Sequence, residues 1–253
     1  MTKKTLLISY LSLSFLLGAS LGNAQFGPPE VEVIDDAQEA APIDITGNWV
    51  SIVTEDWRYR ILTGDVGDTE GYFLTELGTR VAESWDPATD EASGEACRAY
   101  GAAGIMRQPT RLQISWENNN TLEIETDAGM QTRRLKFGEA QDGAGTGSWQ
   151  GVSNANWNLH RQGRGGPVIS GTLEVETHGM RQGYLRRNGV PYSDQSTMQE
   201  YFDVVTQDDG TEYLIVLSIV EDPVFLNGPA MTSSNFRREA NDNLWDPSGC
   251  LTQ

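Results

Sequence analysis

The sequence predicts an all-β protein, an antiparallel up-and-down β-barrel of about eight to ten strands with one short helical insertion. Apolar and polar residues alternate along much of the chain, and turn-forming residues separate the alternating runs. No repeat of the length that a propeller blade needs is visible. The chain has 253 residues, of which 38% are hydrophobic and 21% charged, and this is the composition of an ordinary globular protein.

The alternation is clearest between residues 110 and 137. Leu112, Ile114 and Trp116 fall on one face of the first predicted strand, and the run Asn118-Asn119 predicts a turn into the next. Further strands are predicted at 169–176, 180–187, 199–206 and 212–220. Sequential strands joined by short turns favour a meander that closes into a barrel.

A helical insertion is predicted at about 73–104. Leu74, Leu77 and Val81 have helical spacing. Asp86 is a good N-cap residue, and Pro87 fits the first helical position that follows it. We expect one helix over about 74–84 and another over about 87–101, placed so that they cap one end of the barrel.

The N-terminal segment 1–24 has the features of a secretory signal peptide. Lys3 and Lys4 precede an apolar stretch, and small residues end at Ala24. The apolar stretch is shorter than the roughly 20 residues of a membrane span. The sequence therefore predicts an exported protein, periplasmic or extracellular, without a membrane span. Residues 25–43, which carry several acids and no base, predict a disordered acidic arm before a single barrel domain at 44–253.

The charge of the chain excludes one class of partner. The formal net charge is −18, and loss of the signal with its two lysines would make it more negative still. Binding of nucleic acid requires a basic face, so no nucleic-acid partner is expected. Lys136 is the single lysine after the signal, so the other bases are arginines, which are suited to buried pairing with carboxylates.

The two cysteines, Cys97 and Cys250, predict one disulfide. An even pair without metal-type spacing in an exported protein most often forms a bond, here between the C-terminal tail and the body of the domain. A reactive catalytic thiol is the alternative interpretation.

Gly47-Asn48-Trp49, at the start of the first predicted strand, resembles the Gly-x-Trp signature of the lipocalins and the wider calycins. The resemblance implies a barrel whose base is crossed by this Trp, with an Arg of the last strand over it, so that Trp49 would pair with Arg237 or Arg238. Residues 44–60 and 183–192 are also similar to a group of exported bacterial proteins, and that likeness implies no activity.

Two clusters carry candidate binding residues. If residues 55–60 form a strand, Trp57 lies on one face, and Arg58 and Arg60 on the other could hold a carboxylate. Tyr184 and Arg186 share a face of a later strand and could line a cavity wall. The alternatives are ordinary ion pairs for the first cluster and, for the second, a ladder with the acids of the preceding strand, Glu174 and Glu176.

Aromatic residues supply the remaining candidates. The chain has seven Trp, and such rings either fill a barrel or line a cavity for a flat apolar ligand. The complete set of candidate ligand-binding residues is Trp49, Trp57, Arg58, Arg60, Trp116, Tyr184 and Arg186.

Motifs for metal or cofactor chemistry are lacking in the sequence. It contains two histidines, His160 and His178, too few for a multi-His zinc site. It contains no phosphate-binding loop, nucleophile elbow or zinc-protease motif. We therefore expect neither a metal nor a cofactor, and no catalytic residue is identified.

Three functions are consistent with these observations. We expect an exported barrel that binds a small hydrophobic or amphipathic molecule, with Arg58, Arg60 or Arg186 at its polar end. The first alternative is a cofactor-free lyase, hydratase or isomerase that uses a Tyr and a carboxylate beside an Arg. The second is a structural envelope protein with a filled barrel. The sequence leaves the oligomeric state open.

Overall fold

The protein is described here by a computed structural model that covers residues 36–54, 57–138 and 147–252. The predicted signal at 1–24 lies outside the described residues, as do residues 25–35 of the predicted arm and Glu55 and Asp56.

Strands dominate the described residues. In chain order they are β1 (Gly47–Ile52), β2 (Arg111–Asn118), β3 (Thr121–Thr126), β4 (Thr132–Phe137), β5 (Val152–Arg161), β6 (Val168–His178), β7 (Gly183–Arg186), β8 (Val190–Tyr192), β9 (Thr197–Thr206), β10 (Glu212–Glu221) and β11 (Ala230–Glu239). Nine of them close into a barrel, in the order β1, β11, β10, β9, β6, β5, β4, β3, β2. This architecture is compatible with a lipocalin-like barrel. β7 and β8 form a separate two-stranded hairpin, so the strand predicted at 180–187 is not part of the barrel wall.

One pair of neighbouring strands is parallel. A closed ring with an odd number of strands cannot alternate in direction all the way round, so a purely antiparallel barrel is impossible here. The parallel pair is β4 and β5, with Leu135 opposite Ser153. Before β5 begins, Ser148 forms a bridge with Met180, so the chain has already returned to the end of the barrel at which β4 starts. The prediction of antiparallel pairing throughout is therefore wrong at this junction.

The predicted alternation packs the barrel interior. Ile114 lies opposite Ile124, and Leu122 lies opposite Leu135, and all four side chains are buried. Burial of a side chain of this size stabilises the folded state by about 1.5–3 kcal/mol. The inward positions of the remaining strands are also occupied, among others by Trp157, Leu173, Val175, Phe202, Leu214, Val216 and Phe236.

A buried ion pair lies among these apolar side chains. Arg133 of β4 donates to both carboxylate oxygens of Glu200 on β9, over 3.1 Å and 2.5 Å. β5 and β6 separate these two strands in the wall, so the pair spans part of the interior. The side chains are 1% and 0% exposed. No local pattern in the sequence joins residues so far apart, so the sequence alone does not predict this pair.

Helical segments close one end of the barrel, which we call the helical end. They are α1 (Trp57–Arg60), α2 (Glu76–Glu83), α3 (Pro87–Ala92), a 3-10 helix (Ala96–Tyr100) and α4 (Ala102–Ile105). The predicted N-cap of α3 is confirmed, since the Asp86 side chain accepts a hydrogen bond from the Ala88 amide over 3.0 Å. The helix predicted over 87–101 is interrupted at Gly94, which has a φ of +75° that favours glycine and ends the α-helix.

Residues 57–60 form a helical turn, so the prediction of a strand over 55–60 with Trp57 and Arg58 on opposite faces is wrong. The cause is tertiary. The Arg60 side chain turns inward and donates to the carbonyl oxygens of Ile52, over 2.7 Å, and Arg107, over 3.2 Å. These bonds hold the chain against the end of β1.

The opposite end is covered by residues 36–46, which we call the strap. The Ala37 amide donates to the Asn120 side chain over 2.9 Å, and the Gln38 amide donates to the Asn119 carbonyl over 3.0 Å. The Trp157 indole in turn donates to the Ala37 carbonyl over 2.8 Å. Residues 36–43 therefore pack on the barrel, whereas composition alone predicts a solvated arm.

Trp49 and Arg238 close the barrel base beneath the strap. The two residues lie opposite each other on β1 and β11, and the guanidinium carbon is 4.1 Å from the indole centre. A cation over an indole face stabilises by about 0.5–2 kcal/mol. Gly47 permits this approach, because its φ is +106° and a Cβ there would lie 2.7 Å from the Arg238 guanidinium. Of the two arginines that the resemblance implies, Arg238 is the one that contacts Trp49.

The predicted disulfide between Cys97 and Cys250 is present. It joins the 3-10 helix to the C-terminal segment, where the Leu251 amide also donates to the Tyr100 hydroxyl over 3.2 Å. Both cysteines of the chain are in this bond, which contradicts the alternative of a reactive thiol. Within the described ranges, no helix is both long and apolar enough to cross a membrane.

Replacement of Tyr192 by Phe is expected to raise the free energy of unfolding by about 1 kcal/mol. The Tyr192 hydroxyl is buried without a hydrogen-bond partner among the described residues, and burial raises its pKa. It packs tightly against Gly101, where a Cβ would lie only 2.3 Å away. Phenylalanine keeps the shape and removes the unsatisfied group. Urea unfolding of both proteins tests this, and a lower midpoint for Tyr192→Phe would show that the hydroxyl makes a stabilising bond.

Candidate functional site

Three aromatic rings form a row at the strap end of the barrel. Trp116 of β2, Phe137 of β4 and Trp157 of β5 follow one another with ring centres 5.5 Å apart in both steps. Tilted rings at this separation attract each other by about 0.5–1.5 kcal/mol beyond the area they bury. The row is therefore a stable aromatic surface, and the strap passes over it.

A pocket of about 400 Å³ lies between the strap and this row, and we call it the strap pocket. Its lining consists of Gln38, Ala41, Pro42, Ile43, Asp44, Ile45, Thr46, Trp116 and Trp157. Trp157 is fixed by its bond to the strap and is 3% exposed, whereas Trp116 is half-buried and has a free part of its ring. The arrangement offers the partly exposed Trp116 indole and several aliphatic groups to a flat apolar molecule, with Trp157 in the wall.

The strap pocket has one acidic residue in its lining. Asp44 is the ionisable residue of its lining, and one of its carboxylate oxygens accepts from the amide and the hydroxyl of Thr46, over 2.9 Å and 2.6 Å. Arg238 approaches from behind the wall, where it donates to the Asp44 carbonyl over 2.9 Å. Among the described residues that line this pocket there is no arginine or lysine.

The structure separates the predicted site residues. Trp116 lines the strap pocket, and Trp49 lies behind its wall, where the indole donates to the carbonyl of Ile45 over 2.9 Å. Trp57 is 55% exposed on α1, at the helical end. Arg58 is also exposed there and contacts the carboxylates of Asp68 and Glu70 at 3.9 Å and 3.7 Å, which is the ordinary ion pairing given above as its alternative.

Arg60 and Arg186 are held by hydrogen bonds within the fold. Both are buried at the helical end, where Arg60 binds main-chain oxygens and Arg186 donates to the Asn188 side chain over 2.9 Å. The alternative of a ladder with Glu174 and Glu176 is not formed, because β6 pairs with β5 and β9 and not with β7. None of Arg58, Arg60 and Arg186 is among the described residues that line the strap pocket, so the expectation that one of them meets the polar end of a ligand stays a prediction.

Tyr184 belongs to a separate buried network. Its hydroxyl lies 2.9 Å from a carboxylate oxygen of Asp90 and 3.0 Å from the Arg98 guanidinium, which also donates to Asp90 over 2.8 Å. The Trp85 indole completes the network with a bond of 3.2 Å to Asp90. Burial raises the pKa of Tyr184 to about 12, so the phenol is protonated at neutral pH.

The Tyr184 network has the residue types of an acid–base site but little space. The adjoining crevice, which includes Arg187 and Leu251, has a volume of about 10 Å³. Such a space admits about one water molecule and no substrate. Its hydrogen bonds therefore hold α3, the 3-10 helix and β7 together.

Two parts of the strap pocket were not predicted. Trp157 is one of several alternating tryptophans, and nothing in the local pattern distinguishes it as a lining residue. Residues 36–43 of the strap were interpreted as part of a disordered acidic arm, although the apolar residues Ala41 and Ile43 are a weak signal of packing. Among the described residues, no three His, Cys, Asp or Glu side chains come together as a metal site.

The chain matches no protein-family model, no curated protein and no solved structure, so these comparisons add no support to the lipocalin resemblance.

Proposed function

We propose that this protein acts outside the cytoplasm and binds a small, flat, apolar molecule in the strap pocket. The observation that carries the proposal is the pocket of about 400 Å³ with Trp116 and Trp157 in its wall. Its volume is in the usual range of small-molecule sites, about 300–1,000 Å³. The disulfide and the predicted signal support an exported protein, periplasmic or extracellular.

The ligand that fits best is neutral or cationic. Asp44 brings a negative charge to the lining, and the chain as a whole has a net charge of −18. An anionic head group would meet this field without a lysine or arginine of the lining to pair with it. The proposal therefore differs from the expectation of an arginine that contacts an acidic ligand.

The lipocalin resemblance supports a carrier role, but the centre of the barrel is not where we place the ligand. Gly47, Trp49 and Arg238 have the arrangement that the resemblance implies at the barrel base. The inward positions of the barrel, however, are occupied by buried side chains. We therefore place the ligand at the strap end and not at the centre of the barrel.

The proposal is tested with two related fluorescent probes, neutral N-phenylnaphthylamine and anionic anilinonaphthalene sulfonate. We expect the neutral probe to bind more tightly than the anionic one. Trp116→Ala should weaken binding of the neutral probe about tenfold, which corresponds to 1.4 kcal/mol, because one stacking wall is lost. Fluorescence titration gives the dissociation constants.

Trp57→Ala is the matched control, because it removes an exposed indole at the helical end. It should leave affinity for the neutral probe unchanged. Equal affinities for all three proteins would contradict the proposal, and circular dichroism shows whether each variant keeps the native fold.

A structural envelope role is the second candidate, favoured by the many buried side chains of the interior and by the buried pair Arg133 and Glu200. If neither probe binds and the protein purified from its own host carries no small molecule by native mass spectrometry, this candidate replaces the first.

A further inference from the structure

The segment 57–77 presents an unusual number of exposed apolar side chains. Those of Trp57, Ile61, Leu62, Val66, Phe73 and Leu77 are between 43% and 75% exposed. Phe73 has the highest value, and the two residues 57 and 61 lie on one side of a helical turn, because the Ile61 amide donates to the Trp57 carbonyl over 2.9 Å. A cluster of this kind on a soluble domain marks an interaction surface. We call it the 57–77 patch.

The backbone beneath the patch is held from inside by the turn between β7 and β8. Arg186, which is 6% exposed, donates to the carbonyl oxygens of Glu70, over 3.2 Å, and Asp68. Asn188, which is fully buried, donates to the carbonyl oxygens of Asp65 and Asp68 over 2.9 Å and 2.8 Å. These buried bonds hold residues 65–70, which lie between α1 and α2.

The same turn joins α1 to the rest of the patch. The Arg186 guanidinium lies over the ring of Tyr59 at 4.2 Å and the ring of Tyr72 at 5.5 Å. Tyr59 donates to the Glu70 carboxylate over 2.5 Å, and Arg187 donates to the Ile61 carbonyl over 2.8 Å. Both halves of the segment are therefore fixed to one support. A surface ordered in advance loses less conformational entropy on binding.

The charges of the 57–77 patch indicate the sign of charge that its partner carries. Arg60 and Arg186 point inward, and Arg58, the exposed base of the segment, already contacts Asp68 and Glu70. Asp65, Glu70 and Glu76 are exposed in the same segment, so exposed carboxylates outnumber exposed bases there. A second copy of the chain, with a net charge of −18, would bring the same sign of charge, and so would an anionic membrane. Charge complementarity therefore favours a basic polypeptide.

We propose that the 57–77 patch binds a polypeptide segment whose apolar side chains alternate with Lys or Arg. Its Trp57 and Phe73 would be covered by the apolar side chains of the partner, and its carboxylates would contact the basic ones. This surface lies at the helical end, so the inference is independent of ligand binding in the strap pocket.

The test uses three synthetic peptides as probes, measured by fluorescence anisotropy at physiological salt. In the first, Leu alternates with Lys; the second has Glu in place of Lys, and the third has Ser in place of Leu. The patch variant is Trp57→Ser with Phe73→Ser. The matched control is Met231→Ser with Leu244→Ser, two side chains that are 60% exposed elsewhere on the surface.

We expect the unchanged protein and the control to bind the Leu/Lys peptide equally, and the patch variant to bind it about tenfold more weakly. The other two peptides should bind the unchanged protein about tenfold more weakly than the first. All substituted side chains are exposed, so the native circular dichroism should persist.

The proposal is overturned if the patch variant binds as well as the control, or if the Ser/Lys peptide binds as well as the Leu/Lys peptide. It is also overturned if sedimentation shows a dimer that the patch variant abolishes, since the occupant is then a second copy. Cosedimentation with phosphatidylglycerol vesicles that depends on the patch would assign the surface to a membrane instead. Titration of the patch variant with N-phenylnaphthylamine, expected to be unchanged, keeps this outcome separate from that of the strap pocket.

Discussion

Replacement of both Cys97 and Cys250 by alanine is expected to lower the free energy of unfolding by about 5 kcal/mol. The bond joins residues that are 153 positions apart, and loss of so long a closed loop frees a large conformational entropy in the unfolded chain. Because a domain has about 5–15 kcal/mol of stability in total, the variant should be close to unfolding at physiological temperature.

Urea unfolding of the oxidised protein, the reduced protein and the double alanine variant measures this effect. Reduction and substitution should agree, since both remove the same restraint on the unfolded state. At low temperature, where the variant is folded, the strap pocket should keep its affinity for the neutral probe, because the bond lies at the opposite end of the barrel. A loss below about 1 kcal/mol would show that the unfolded chain is restrained by other means.

The second large effect is expected at the buried ion pair. Glu200→Leu leaves the Arg133 guanidinium without its partner inside the barrel, where the side chain is 1% exposed. Removal of one partner of a buried pair costs about 3–5 kcal/mol, since the remaining charge cannot be solvated. The Ser218 hydroxyl also donates to Glu200 over 3.5 Å, and a neutral hydroxyl would not replace the carboxylate as a partner of Arg133.

The double variant Arg133→Met with Glu200→Leu separates the pair from the packing around it. It removes both charges and keeps apolar groups of similar size, so its stability should be within about 1 kcal/mol of the unchanged protein. Urea unfolding of the two single variants and the double variant forms a complete cycle. Additive losses in the double variant would show that packing, and not the unpaired charge, determines the effect.

If both single variants fold at low temperature, their affinity for the neutral probe shows whether the barrel interior contributes to binding. The pair is in the barrel and outside the lining of the strap pocket, so affinity should not change. A loss of binding in the double variant, with the fold retained, would move the ligand from the strap pocket toward the interior of the barrel.

The sequence by itself determined the class of fold. Alternation in residues 110–137 predicted β2, β3 and β4. One face of each strand packs in the barrel interior and the other faces water, so the pattern is visible within a few residues. Asp86 before Pro87 predicted the start of α3, because a cap depends on residues within one turn. The cysteine pair predicted the disulfide because the chain offers no other pairing.

The arrangement of the candidate site depends on tertiary contacts. Arg60 turns its chain into a helical turn by reaching the carbonyls of Ile52 and Arg107, and Arg186 is used to hold a distant loop. The strap becomes ordered because the side chains of Asn120 and Trp157 form hydrogen bonds with the main chain of Ala37. These contacts join residues far apart in sequence, and their energies depend on burial that no local pattern encodes. For that reason Trp116 was predicted as a binding residue, while its neighbours in the pocket were not.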